Sequence, residues 1–339
     1  MKSKKDKKEK KLRLVLLIAA LTIILILFQV NELTEAASTV PQEISVTIPA
    51  GSSNQQIAEL LADSGVIKSK YAFLFLSKYL GYDKSLKAGS YVLDSSWNLN
   101  KIINELSKGQ VQSIKFTIPE GYHIEQIAEK LAAEGLVDRE KFLTLANSDI
   151  FDYPFLKDID TEGYLLEGYL FPDTYQVTKG MDELDIIKMM LNRFNQIYDE
   201  NLRERAKELN LTDHEVITIA SMVEKEAKFD EDRPLIASVI YNRLKIGMPL
   251  QIDATVQFAL GTTKPKLYKK DLKVDSPYNT YLNYGLPPGP IGSPGKASIL
   301  AALYPKETDY LYYLAKSDGT HVFSKTLEEH NAAKQKYIK

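Results

Sequence analysis

Val216–Val223 is an almost unbroken apolar run, interrupted only by Thr218 and Ser221, and it ends in Glu224, Lys225 and Glu226. Thr212 and Glu215 stand at the spacing of a capping box, so the run begins as a helix. A helix apolar on nearly every side has to be buried. Glu226 continues the stripe of Ile219, Met222 and Val223, at spacings of seven, four and three residues. Glu224 follows Ile217, Ala220 and Ser221, a more mixed line. The two carboxylates therefore point to different faces and do not form an acid–base pair on one surface. Two readings stand. The helix simply ends in solvated charges, or a carboxyl is held beside apolar surface, where desolvation raises its pKa and lets it donate a proton near neutral pH.

Two further polar–aromatic clusters frame this helix. Glu167, Tyr169 and Asp173 lie in Glu167-Gly168-Tyr169-Leu170-Phe171-Pro172-Asp173-Thr174-Tyr175. Tyr278, Asn279 and Tyr281 lie in Ser276-Pro277-Tyr278-Asn279-Thr280-Tyr281, beside a Pro/Gly-rich loop from Gly285 to Gly295 stiff enough to wall a groove. Gln251 and Asp253 follow a predicted helix from Arg233 to Lys245. All eight side chains suit sugar hydroxyls and acetamido groups, and tyrosine adds a stacking face to its hydrogen bond. Arg243 reads as a salt-bridge partner of the buried helix, and Glu224 as a support for Glu226. Tyr310, Tyr312 and Tyr313 read as packing residues. The lysines at 264, 266, 269, 270 and 273 read as a solvated face, with anionic peptides as the other use.

Composition removes other chemistries. The 339 residues contain no Cys and four His, which excludes thiol catalysis, disulfides and Cys-ligated metals and leaves a His-rich metal site without material. No metal or cofactor is called for. His214-Glu215 lacks the second His of a zinc-protease helix, because position 218 is Thr. No Gly-x-Ser-x-Gly elbow occurs. The net charge of −2 divides unevenly: residues 1–13 carry eight basic side chains against two acidic, leaving 35 basic against 43 acidic in the remainder. An acidic body is no partner for nucleic acid.

Behind that basic head, Leu14 to Val30 is broken only by Thr22 and Gln29, long enough as a helix to approach the ~30 Å hydrocarbon core. The expectation is an uncleaved single-pass transmembrane anchor over residues 14–33, with residues 1–13 cytoplasmic and the body outside. A linker over residues 34–43 follows. The rival is a signal peptide cut near Ala36-Ala37-Ser38.

The body opens with a repeat. Residues 47–65 and 117–135 match at eleven of nineteen positions, including Thr-Ile-Pro-x-Gly and Gln-Ile-Ala-Glu. Each copy reads as strand, turn and amphipathic helix. In the first, Ser53 and Gln56 cap the helix, Ile57, Leu60, Leu61 and Val66 face the core, and Gly65 stops it. A second helix over Tyr71–Tyr79, a strand at Gly89–Leu93 and a helix over Leu99–Leu106 follow. The fold class is α+β: a small subdomain over residues 44–112, whose order resembles the glycan-binding LysM module (a spacer domain is the alternative), then a larger α+β domain over residues 113–339.

Together with Ala220-Ser221-Met222-Val223-Glu224-Lys225-Glu226, Asn242-Arg243-Leu244, Gly285-Leu286-Pro287-Pro288-Gly289 and the tail Gly319-Thr320-His321-Val322-Phe323-Ser324 then Glu329-His330-Asn331, the two flanking clusters resemble the YceG-like endolytic murein transglycosylases. The resemblance runs from the anchor to near the C-terminus. It implies a protein of the cell membrane, carrying a LysM-like region, that cuts nascent peptidoglycan strands internally, with Glu226 as catalytic acid. It also implies partners among the cell-wall synthases (penicillin-binding proteins) and the elongation or division machinery. Two positions depart from the family pattern: Asp253-Ala254 in place of Asp-Pro, read as a loss of turn rigidity, and Gly292-Ser293 where Asn is common.

The implied reaction needs one carboxyl. A lytic transglycosylase lets the C6 hydroxyl of N-acetylmuramic acid attack its own anomeric carbon, so one acid protonates the leaving oxygen and then takes the hydroxyl proton. Hydrolases need two carboxylates. The competing readings are a muramidase using Glu226 with Asp253, and a catalytically silent wall-binding scaffold.

Overall fold

The computed structural model describes residues 32–49, 51–109, 113–157, 159, 163–178, 181–262, 264 and 266–337. The basic head and all but the last two residues of the expected anchor lie outside them. Among the described residues no helix is long and apolar enough to cross a membrane. The chain divides into two compact units, residues 1–114 with 176–180 and residues 115–175 with 181–339.

The first unit is a strand, two helices, a strand and a helix: β1 (Glu43–Ile48), α1 (Asn54–Asp63), α2 (Lys70–Tyr79), β2 (Gly89–Asp94) and α3 (Leu99–Lys108). β1 and β2 pair antiparallel, with Val46 opposite Tyr91 and Ile48 opposite Gly89. The sheet and helices close on Ile57, Leu61, Phe73, Tyr91 and Ile103. The Ser53–Gln56 capping box forms, and Gly65 takes the left-handed conformation at φ 75° that ends α1. α3 runs two residues beyond Leu106 and is stopped, as expected, by Gly109 with its left-handed φ of 69°. Leu60 corrects the predicted face. It is 36% exposed, because the buried stripe is Ile57, Ala58 and Leu61 and Leu60 flanks it.

The second unit begins within the strand of the other repeat copy, β3 (Ser113–Thr117), and continues with α4 (Ile124–Ala133) and α5 (Arg139–Ala146). β4 (Thr174–Thr178) then pairs with β3. Helices α6 (Glu183–Ile197), α7 (Glu200–Glu208), α8 (Asp213–Glu226), α9 (Arg233–Lys245), α10 (Asp253–Ala259) and α11 (Lys296–Leu303) follow, then hairpin β5 (Tyr312–Ala315) and β6 (His321–Ser324) and α12 (Leu327–Tyr337). The mixed α+β class holds. α8 is the axis of this unit. Thr212 and Glu215 cap it as the spacing predicts, and every residue from Val216 to Val223 is buried. It packs against α11, α9, α10 and α7, which is why its sequence is apolar on nearly all sides.

Candidate active site

α8 ends where its burial ends. Ala227 leaves the helix with extended backbone, so the last turn presents Glu224, Lys225 and Glu226 in three directions. The two carboxylates meet different surroundings. The Glu224 side chain is nearly fully buried and neutralised: the Arg233 guanidinium lies 3.1 Å from its Oε1, and the Gly295 N–H donates to Oε2 at 2.9 Å. Glu226 is half-buried as a whole residue, as Glu224 is, but among the described residues it has no ion pair. Burial of its carboxyl and the nearby Asp253 charge push its pKa up to about 7, while hydrogen bonding from Tyr313 and the Ala254 N–H pulls it partway back. A carboxyl with that balance holds or releases a proton near neutral pH.

The groups around Glu226 come from three separate elements. Asp253 is the first residue of α10, and the Tyr281 hydroxyl donates to its Oδ1 at 2.5 Å. The residue before that turn, Gln251, has φ 51°, a left-handed conformation that costs a non-glycine residue free energy. Neighbours hold it there. The Gln251 N–H donates to the Thr280 carbonyl at 3.1 Å, and the Ile252 N–H to Thr280 Oγ1 at 3.0 Å. The departure at position 254 has a chemical consequence beyond turn rigidity, since proline has no N–H to offer Glu226 and alanine does.

Arg243 corrects the salt-bridge expectation. Its guanidinium donates to the Leu250 carbonyl at 2.6 Å and the Leu311 carbonyl at 2.7 Å. It thus ties the segment before Asp253 to the strand that carries Tyr313. The ion pair with α8 belongs to Arg233 instead, at the first turn of α9. Tyr313, read from sequence as packing, lies against the Glu226 carboxyl, and burial pushes its hydroxyl pKa well up. Strand periodicity gave no signal for this, because the contact joins β5 to the end of α8.

The remaining candidates separate into wall and core. A cavity of about 1050 Å³ adjoins this helix end, lined by Tyr122, His123, Glu167, Lys225, Phe258 and Tyr278 among others. It is at the upper end of ligand clefts in size. Glu167 is 3% exposed; burial pushes its pKa up to about 8, although the Ile124 N–H at 3.1 Å from Oε2, the Gly168 N–H and the Lys225 charge oppose this. Its Oε1 is buried without a hydrogen-bond partner among the described residues. Tyr278 packs on Phe258, with ring centroids 4.8 Å apart. Tyr169 and Asn279 correct the expectation of sugar contacts, because both are fully buried. Tyr169 stacks on Phe155 and its hydroxyl meets His214 Nδ1 at 2.9 Å. The Asn279 amide donates to the Leu272 and Val274 carbonyls and so shapes its own loop. Asp173 pairs with Arg193 of α6 at 2.7 Å. Among the described residues no group of three or more His, Asp or Glu is placed to hold a metal ion.

Tyr122 and His123, which sequence reasoning passed over, come from the second repeat. Its turn is locked to the loop before α11: the Gly121 N–H donates to the Ser293 carbonyl and the Ser293 N–H to the Tyr122 carbonyl, both at 2.8 Å. Gly292 permits this approach, since a Cβ there would stand 2.6 Å from the Gly121 carbonyl oxygen.

Comparison with known proteins agrees with the motifs. The chain is 43% identical over 310 residues to an endolytic murein transglycosylase of Bacillus subtilis (strain 168), covering 87% of this chain and 85% of that one. It is 35% identical over 319 residues to an endolytic murein transglycosylase of Streptococcus pneumoniae serotype 2 (strain D39), covering 85% of this chain and 57% of that one. The crystal structure of a YceG-like protein from Listeria monocytogenes superimposes with a TM-score of 0.58 at 39% identity, covering 86% of this chain and 98% of the other. The YceG-like family matches residues 46–336, nearly the whole described structure, and the chain belongs to that family.

Proposed function

We propose that the protein is an endolytic murein transglycosylase, a lyase that cuts the bond between N-acetylmuramic acid and N-acetylglucosamine within peptidoglycan strands. The observation that carries the mechanism is Glu226: a carboxyl with a pKa of about 7, bonded to the N–H of Ala254 on the wall of a large cavity, and with no ion pair among the described residues. In the first half of the reaction Glu226 gives its proton to the leaving glycosidic oxygen. The muramyl C6 hydroxyl then closes on the anomeric carbon, and Glu226 takes the proton that this hydroxyl loses. The product is an anhydro end, with no water consumed. Asp253 faces Glu226 with its own carboxylate engaged by Tyr281, so it keeps the acid protonated and aligns the sugar.

Four finer readings belong to the same proposal. Residues 14–33 anchor the chain in the cell membrane, with residues 1–13 cytoplasmic and the catalytic unit outside. The first unit serves as a LysM-like module on the same strands. Glu167, Asp173, Gln251, Tyr278 and Tyr281 contact substrate. Cell-wall synthases supply the nascent strand and are its working partners.

The test is chemical. Glu226→Gln should fold normally and lose strand cleavage, and retained cleavage would remove Glu226 from the mechanism. Because the acid form is the one needed first, kcat/KM should fall as pH rises through about 7. A pH-independent rate across that point would contradict it. Mass spectrometry of the new strand ends separates the classes: ends lighter than a reducing end by one water mark the lyase, intact reducing ends a muramidase, and uncut strands a scaffold.

A further inference from the structure

Lys225 is the member of the Glu-Lys-Glu triplet left without a partner. Glu224 is held by Arg233 and the Gly295 N–H, and Glu226 by Tyr313 and the Ala254 N–H. Lys225 makes no hydrogen bond or ion pair among the described residues, and its side chain is exposed on the cavity wall. Its arm runs over the crossing of the two backbone turns. A Cβ built on Gly292 would lie 3.3 Å from Lys225 Cε, and one on Gly121 would lie 3.7 Å from Lys225 Cδ. Any bulkier residue at either glycine would crowd that path.

Burial opposes the Lys225 charge while Glu167 and Glu224 favour it from a distance, and neither carboxyl forms an ion pair with it. Glu167 is buried enough to keep its proton at neutral pH. His123 is held neutral by burial and by the Lys225 charge itself. Glu224 is already neutralised by Arg233, and Glu129 by Arg139, 3.3 Å away. Glu125 interacts with the Tyr164 hydroxyl on the same wall. A lysine on a cavity wall at the end of the helix that carries the catalytic carboxyl, with no ion pair among the described residues, is built to meet an anion brought by the ligand.

We propose that Lys225 is a specificity residue that binds a free carboxylate of the peptide carried on the muramyl sugar next to the scissile bond. This rests on the reading of the cavity as the glycan groove beside Glu226. Position supports the peptide as the source. Lys225 shares the cavity wall with Ala254, whose N–H bonds to Glu226, so the anion hangs from a sugar close to the bond being cut. A peptide-bearing muramyl sugar repeats along the strand and offers that carboxylate at every internal site. A terminal phosphate occurs once and only at the strand end.

The experiment compares two substrates: uncrosslinked strands, and the same strands with their peptide carboxylates converted to N-methylamides by carbodiimide and methylamine. The full-length protein in detergent is assayed as wild type, Lys225→Gln and Lys225→Arg. Wild type should lose about tenfold in kcat/KM on the amidated strands, the scale of one charge-assisted hydrogen bond, with most of the loss in KM. Lys225→Gln should lose about as much on the native strands and nothing further on the amidated ones, and Lys225→Arg should keep most of the discrimination. An equal additional loss for Lys225→Gln on amidated strands would overturn the proposal. So would a Lys225→Gln defect confined to strands that still carry a polyprenyl pyrophosphate. Wild type cutting neither substrate would instead overturn the functional reading beneath it.

Discussion

The same strand–turn–helix is used twice in this chain, and the second copy lies in the unit that carries the candidate active site. Thr47 and Thr117 hold equivalent places and each bonds a hydroxyl on its paired strand, Ser90 at 3.0 Å and Thr174 at 2.8 Å. Gln56 and Gln126 each accept the backbone N–H that opens the helix, at 2.8 and 3.1 Å. The turns differ in what they meet. A Cβ on Gly51 would find nothing within 4 Å, whereas one on Gly121 would touch Glu224 and Lys225 at 3.7 Å. The residues that differ follow suit: Ser52 and Ser53 in the first copy are Tyr122 and His123 in the second, and both of these line the large cavity. The scaffold positions are shared because they make the fold. The turn positions diverge because one turn is a wall of the site.

The largest effect expected on this comparison is a shared one. Leu61 and Leu131 are equivalent and both 0% exposed. Leu61→Ala and Leu131→Ala should each destabilise their own unit by about 3 kcal/mol, measured by denaturant unfolding. Only Leu131→Ala should also depress strand cleavage, and equal losses of activity would break the distinction drawn between the copies. Gly292→Ala should cost about 2 kcal/mol, because its Cβ would strike the Gly121 carbonyl, and should lower cleavage through the displaced turn. Gly51→Ala, at φ 80° in open space, should cost about 1 kcal/mol of left-handed strain and leave cleavage intact. The smallest effect is again shared. Thr47→Val and Thr117→Val each remove one exposed hydroxyl pair and should each cost about 0.5 kcal/mol. A much larger loss for Thr117→Val would mean that the second strand pair also positions the site.

Much of the scaffold was legible. The capping boxes at Ser53 and Thr212, the left-handed stop at Gly65 and the helix from Arg233 to Lys245 all form as their residues dictate. The repeat itself carries the signal at Leu60: Lys130 stands at the equivalent place in the second copy, a residue type that belongs at the surface. The site was less legible. Periodicity placed Glu226 on the apolar stripe but gave no sign that Glu224 is paired with Arg233. Tyr169 and Asn279 carry sugar-binding chemistry but are enclosed, and Tyr313 carries it where packing was expected.

What the sequence by itself determined was every feature governed by neighbours a few residues apart: helix starts and stops, the duplicated unit, the buried axis that ends in Glu-Lys-Glu, and the family. What only the tertiary structure decided was how the three charges at that helix end differ. Arg233 neutralises one carboxyl, burial together with Asp253 and Tyr313 sets the proton affinity of the other, and the lysine between them lines the cavity with no ion pair among the described residues. The reason is one of range. Caps and periodicity act along the chain, whereas proton affinity depends on through-space charge and desolvation, which are fixed only when distant segments fold onto the same few ångströms.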